Sequence, residues 1–193
     1  MGDPKRLRKK YQKPSHPWQM ARLEAEKPLF KDFGLKNKTE LWKMNSMAKS
    51  IAIQAKKLIA KRNDAQAVKE KENLLARLIR YSLIQPGSPI ESALGLSSKD
   101  MLERRLQTQV LRKSLAKTIE QSRQMITHKH IMVNKKVITS PAYIVSAEEE
   151  MQIEYAENSP FANDVHPERP EVKVMPQVSA EKEKVEKKNG TEK

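Results

Sequence analysis

The residues of this chain able to do chemistry are cations and amides set at helical spacing. Arg104, Arg105 and Arg112 stand with Gln107 and Thr108 in the run LERRLQTQVLRK, and Arg123 and Gln124 follow in IEQSRQMI. A guanidinium is planar, permanently charged and able to grip two oxygens of one phosphate; amides and hydroxyls donate to phosphate or ribose oxygens. Lys117 lies between the two runs, near the N-terminus of a helix, itself a favourable place for an anion. Such groups bind oxyanions without making or breaking bonds, and the bland alternative for each is a solvated surface charge. His128 and His130 flank Lys129 as an H-x-H pair. No other His or Cys lies nearby, so they read as hydrogen-bonding or phosphate-facing groups, with no metal or cofactor expected. Cysteine is absent altogether, which excludes disulfides and thiolate zinc sites.

These residues need a frame. Ser97 or Ser98 can cap a helix from about Lys99 to Ser114, with Leu102, Leu106 and Val110 inward. Arg104, Thr108 and Arg112 then fall roughly 200° round from that face, at ~100° per residue. A second helix is predicted over 118–127, with Ile119, Ser122 and Ile126 buried. Ile131, Met132 and Val133 read as a strand, Asn134-Lys135 as a tight turn, and Val137-Ile138 as the return. Residues 143–145 and 151–155 read as further short strands. Together, 98–155 form an αα–β unit.

Residues 18–97 read as a helical lobe. A short helix runs from Trp18 to Leu35, ended by Gly34; Thr39 looks like an N-cap with Glu40 in the first turn. Leu41, Met44, Ala48, Ile51, Ala55 and Leu58 make one apolar stripe, and Lys43, Lys49, Lys56, Lys57, Lys61 and Arg62 mostly fall off it. Asp64 can cap another helix, with Val68, Leu75, Leu78 and Ile79 inward, before a turn at 86–89. Trp18, Trp42, Tyr81 and Tyr11 are able to stack on bases, although Trp42 beside the stripe reads first as packing. Residues 1–17 form a basic arm in which Lys5, Arg6, Arg8, Lys9, Lys10 and Lys13 face one acid, Asp3. Residues 156–193, interrupted by prolines and ending in Glu and Lys, are expected to be a disordered acidic tail. The fold class expected is mainly α with a small β-ribbon (α+β).

The net charge is +14, unevenly spread. Residues 1–142 hold 31 basic and 12 acidic residues, a net of +19, whereas 143–193 hold 7 and 12, a net of −5. A field of that sign suits a polyanion, because neutralising phosphates releases condensed counterions. No apolar run approaches the ~20 residues that span a bilayer, so no membrane partner is expected. The start MGDPKRLRKKY has no apolar region behind its charges, and a cytoplasmic location is the default.

At this point the residues carry a resemblance. LERRLQTQV followed by SRQMITHKHIMVNKKVITSP closely resembles the S-four RNA-binding domain. With the start MGDPKRLRKKY, HPW at 16–18 and a helical segment ahead of the domain, residues 1–155 resemble the universal S-four family of small-subunit ribosomal proteins, in its archaeal form. The resemblance implies direct, early binding of small-subunit ribosomal RNA at a multi-helix junction. It also implies neighbouring small-subunit proteins as partners, a place near the messenger RNA entry channel with messenger RNA as a further contact, and a role in translation and its accuracy. By family position, Arg123 and Gln124 face RNA. Two departures stand out: family members commonly carry Gly where this chain has Ser114 and Lys129, positions suited to left-handed backbone. An RNA-modifying enzyme built on the same domain would need a separate catalytic domain with a positioned Asp, and none is present. A ribosome-associated RNA chaperone or rescue factor would use the same chemistry and remains the alternative.

Overall fold

The apolar stripe of residues 41–58 becomes the spine of the first core. In a computed structural model of the chain, which describes residues 9, 11–61, 64–163 and 166–170, α2 (Lys38–Ala60) buries Leu41, Met44, Ala48, Ile51 and Ala55 on one face. Helix α1 (Met20–Asp32) precedes it, and α3 (Ala65–Arg80), a 3-10 turn at Ile90–Gly95 and α4 (Ser98–Glu103) pack on it. Asn37, rather than Thr39, is the residue ahead of α2, and Glu40 does lie in its first turn. The inward side of α3 is Ala67, Leu74 and Leu78, while Val68 is exposed. Adjacent apolar doublets (Ala67-Val68, Leu74-Leu75, Leu78-Ile79) satisfy the helical period through either member, and packing selects the first member of all three, against the expectation for Val68, Leu75 and Ile79.

The single helix expected over 99–114 is broken. Helix α4 is capped by a reciprocal Ser97–Asp100 box and stops at Glu103; Arg105 is extended (φ −70°, ψ 143°), and α5 starts again at Leu106–Arg112. The backbone of residues 143–145 explains the break. Arg105 makes a β-bridge to Ile144, Leu106 N donates to Tyr143 O at 2.8 Å, and Val145 N donates to Arg104 O at 2.9 Å. The tertiary partner takes over backbone groups that a continuous helix would have paired internally. Residues 143–145, expected as a strand, supply only that bridge.

Helix α6 (Ile119–Thr127) begins at Thr118, whose side chain accepts from Gln121 N. It leads into β1 (Ile131–Val133), the turn Asn134-Lys135 and β2 (Lys136–Val137); β3 (Ile153–Tyr155) pairs on the other side of β1, all antiparallel in the order β2-β1-β3. Asn134 and Lys135 have φ of 51° and 61°, the tight left-handed turn read from the sequence. A one-turn helix, α7 (Ala147–Glu150), held by a Ser146–Glu149 capping box, was not expected. Leu106, Val110, Ala116, Met125, Ile126, Ile131, Val133, Val145 and Ile153 form a second core, separate from the first.

The expected tail is corrected at its start. Ala156 N donates to His130 O, Pro160–Ala162 forms a 3-10 turn, Phe161 meets the His130 ring edge-on at 5.1 Å, and Arg169 lies 5.2 Å from the Tyr155 ring centre. Prolines gave this stretch the composition of an unfolded tail, but Phe161, packed against the rings of His130 and Tyr155, helps to dock it. Residues 171–193 lie outside the described residues.

Four helices end in the same way. After α1, α3, α5 and α6, the residues Gly34, Ser82, Ser114 and Lys129 adopt φ of 54°, 50°, 57° and 66°. In each, the following N–H reaches back five residues and the left-handed residue's own N–H reaches back three, as in Lys129 N to Ile126 O and His130 N to Met125 O. Only Gly34 avoids the cost of a side chain there, so the left-handed backbone inferred for Ser114 and Lys129 is what the structure has. Ser114→Gly and Lys129→Gly are each expected to raise the unfolding free energy by about 1 kcal/mol. Equilibrium denaturation checks this, and a loss of stability in both would count against it.

Candidate nucleic-acid interface

Glu40 is the hinge pin between the two cores. Its carboxylate accepts from Arg105 Nη2 at 2.8 Å and from Arg123 Nη2 and Nη1 at 2.8 and 3.2 Å. The start of α2, the break between α4 and α5, and α6 therefore meet at one acid. Burial opposes ionisation of Glu40, but the hydrogen bonds from Arg123 and Arg105 outweigh it and hold its pKa below the ordinary 4.5. Burial also pulls Arg105 down, against the support of Glu40, yet a guanidinium keeps its proton at any working pH. Beside this pin, Gln107 Nε2 donates to Gly34 O at 3.2 Å and to Ile119 O at 3.0 Å. A Cβ at Gly34 would stand 2.9 Å from that same nitrogen, so glycine is needed for the close approach as well as for its φ.

The surface placement expected for the first-helix residues is therefore corrected in most cases. Arg105 is 1% exposed and Gln107 is fully buried. Arg104 is buried, donating to Glu150 Oε2 at 2.7 Å and to Val145 O at 3.2 Å. Thr108 Oγ1 donates to Leu102 O and is buried too. The physical reason is the break at Arg104-Arg105: it changes the direction of the following turn and lets residues 141–150 lie over the face that a continuous helix would have shown to solvent. Arg112 does remain accessible, its side chain 52% exposed, with one contact to Glu103 at 3.2 Å.

Helix α6 presents the other accessible groups. Lys117, Gln121, Gln124 and His128 follow one another at three- and four-residue steps, opposite the buried Ser122, Met125 and Ile126. Gln124, His128 and Lys129 are exposed. Gln121, Gln124, Met125, His128, His130, Phe161 and Glu168 line a cleft of about 520 Å³. The docked segment occupies one end of this face: Lys117 Nζ donates to Pro167 O at 2.8 Å, and Gln121 Nε2 donates to Glu168 O at 3.1 Å. The His128 and His130 rings lie 6.5 Å apart at 29°, and His130 Nδ1 sits 3.0 Å from Ser159 Oγ. Burial, then the neighbouring His128, lowers the pKa of His130. Among the described residues, no group of three or more His, Cys, Asp or Glu could hold a metal ion.

Sequence reasoning passed over Lys135 and Lys136, both exposed at the β1–β2 turn; a cationic doublet at a turn was the available signal. It also treated Glu40 only as a first-turn acid. Lys9 is exposed, while Tyr11 packs against Trp42 with ring centres 6.3 Å apart. Lys5, Arg6, Arg8 and Lys10 lie outside the described residues.

Residues 104–151 match the family model of the S4 domain. Over 170 residues the chain is 48% identical to the small ribosomal subunit protein uS4 of Methanococcus maripaludis, spanning 88% of this chain and 95% of that protein. Over 183 residues it is 43% identical to the small ribosomal subunit protein uS4 of Thermoplasma acidophilum, spanning 94% of this chain and 92% of that protein. The chain belongs to the uS4 family of small ribosomal subunit proteins. Both uS4 relatives come from archaea, in line with the archaeal form read from the sequence. A uS4 protein is structural and not an enzyme. No helix among the described residues is long and apolar enough to cross a membrane. Within uS4, the S4-domain match starts at Arg104, where the first core gives way to the second.

Proposed function

We propose that this chain is a resident protein of the small ribosomal subunit that binds small-subunit ribosomal RNA directly, early in assembly and near the messenger RNA entry channel. The observation that carries the reading is the accessible cationic set on a rigid S4-domain frame: Arg112, Lys117, Lys129, Lys135 and Lys136, with Gln124 and His128 beside them. Folded RNA offers phosphates and 2′-hydroxyls to such groups, and shape rather than a base code selects the site. Arg123 adds charge next to this surface while serving Glu40. Arg104, Arg105, Gln107 and Thr108 act one layer back, holding the frame that sets the spacing of the exposed groups. The exposed α2 residues Lys43, Lys49, Lys56 and Lys57 extend the positive field over the first core, and the sequence of the arm 1–17 adds further positive charge. Neighbouring small-subunit proteins, and messenger RNA passing the entry channel, are the partners this position brings.

Sedimentation of small subunits through a high-salt cushion tests residence. The chain is expected to stay with the subunit, because many simultaneous phosphate contacts resist washing. Quantitative release into the supernatant would instead favour a loosely held RNA chaperone or rescue factor.

A further inference from the structure

Trp18 is 86% exposed, the most exposed of the large apolar side chains in the described structure, and the chain around it is built to keep it so. Arg22, one turn into α1, donates from Nη2 to Pro17 O at 2.8 Å and to His16 O at 3.2 Å, while its Nη1 pairs with Glu26 at 2.7 Å. The turn that carries Trp18 is thus pinned from beneath. Its other end is pinned as well, because Gln12 N donates to Ser46 Oγ at 3.0 Å and Tyr11 packs on Trp42. An indole normally gains by burial, and this one stands in water on a backbone turn that the Arg22 guanidinium holds. Part of the cost of ordering this segment for a partner has therefore been met in the folded chain.

Charge decides the class of partner. Lys9, Lys13 and His16, which precede Trp18 in the chain, are exposed, and residues 1–20 hold six Lys and Arg against the single acid Asp3. A protein-docking anchor would sit in an apolar surround, whereas among the described residues 11–25 Met20 is the one other large apolar side chain that is strongly exposed. An aromatic face amid cations is the arrangement that receives an unpaired nucleobase, with the cations taking the adjoining phosphates. We propose that Trp18 is a preorganised stacking platform for one unstacked base of the RNA that the S4 domain binds. This rests on the RNA-binding reading above and adds a second, separate contact to it.

The test uses the full chain with Trp42→Phe, so that fluorescence reports Trp18 alone, titrated with small-subunit ribosomal RNA. Saturable quenching is expected at the same midpoint as binding. Trp18→Ala is expected to weaken binding about 5- to 100-fold without changing its salt slope, and Trp18→Phe to retain most of the affinity. Unchanged affinity of Trp18→Ala, or fluorescence indifferent to bound RNA, would overturn the stacking site while leaving the S4-domain reading in place. Shielding of Trp18 in whole subunits but not by RNA alone would reassign it to a protein neighbour and overturn it too. If the wild-type chain shows no binding to that RNA, both readings fall together.

Discussion

Glu40→Ala is expected to lower the unfolding free energy by about 3–5 kcal/mol, because it strands a buried guanidinium. Arg105 is 1% exposed, and among the described residues Glu40 is the acid its side chain reaches, with Nε and Nη1 already unpartnered. The mutation also releases Arg123, whose side chain is partly exposed and can be rehydrated, so most of the loss comes through Arg105. Typical stabilities are only about 5–15 kcal/mol, so the variant should be detectably unfolded well below the wild-type denaturation midpoint. Glu40→Gln keeps an acceptor and is expected to lose less. The acid limb follows from the same pair. A carboxyl whose pKa is lowered on folding contributes stability above its unfolded value of about 4.5, and that contribution disappears as pH falls through the lower folded value. Glu40→Gln should therefore flatten the pH dependence of stability below about 4.5. A Glu40→Ala chain as stable as wild type in a denaturant titration would show that the two cores are not joined at this point.

The second large effect concerns RNA. Replacing Arg112, Lys129, Lys135 and Lys136 together by Gln removes four accessible cations while leaving both cores untouched. Each phosphate contact contributes about 0.7–0.9 to the slope of log K against log salt, so the slope should fall by up to about 3.6, and affinity near 0.1 M salt by about tenfold to a thousandfold. Lys129 separates the two kinds of effect by itself. Lys129→Gly should gain stability by relieving the φ of 66° and lose affinity by removing the charge. Arg104→Ala behaves differently, since it unpairs Glu150 and a backbone carbonyl, and its first consequence is lost stability. Thr108→Ala and Gln107→Ala belong with Arg104. A salt slope that drops for Thr108→Ala but not for the four-residue variant would place the RNA on the wrong side of the domain.

Local patterns carried much of the fold into view from sequence. The stripe on α2, the helix over 118–127, the Asn134-Lys135 turn and the left-handed positions Ser114 and Lys129 are set by residues within a few places of one another. What stayed hidden depended on distant chain. A helical wheel drawn through Leu102, Leu106 and Val110 takes the helix as continuous, and nothing between 99 and 114 reveals that Ile144 will pair with Arg105. Because of that one bridge, a face read as open to solvent became an internal network. Arg112 escaped because it lies at the far end of α5, beyond the reach of residues 141–150. The docked segment 156–163 was hidden for a related reason: proline content describes the local chain, whereas Phe161 docks through rings at 130, 155 and 166. Within the candidate site, residue types were legible as phosphate-binding chemistry, but their division into groups that touch solvent and groups that brace the frame required the tertiary structure.

The most direct test compares binding of the purified full chain to small-subunit ribosomal RNA and to an unrelated RNA of equal length, at about 0.2 M monovalent salt, where non-specific phosphate contacts are weakened most. The expected result is that the ribosomal transcript is held more tightly by about a thousandfold or more (roughly the lower reach of specific over non-specific nucleic-acid binding), and that the four-residue variant loses most of this margin. Equal affinity for the two RNAs would contradict the account.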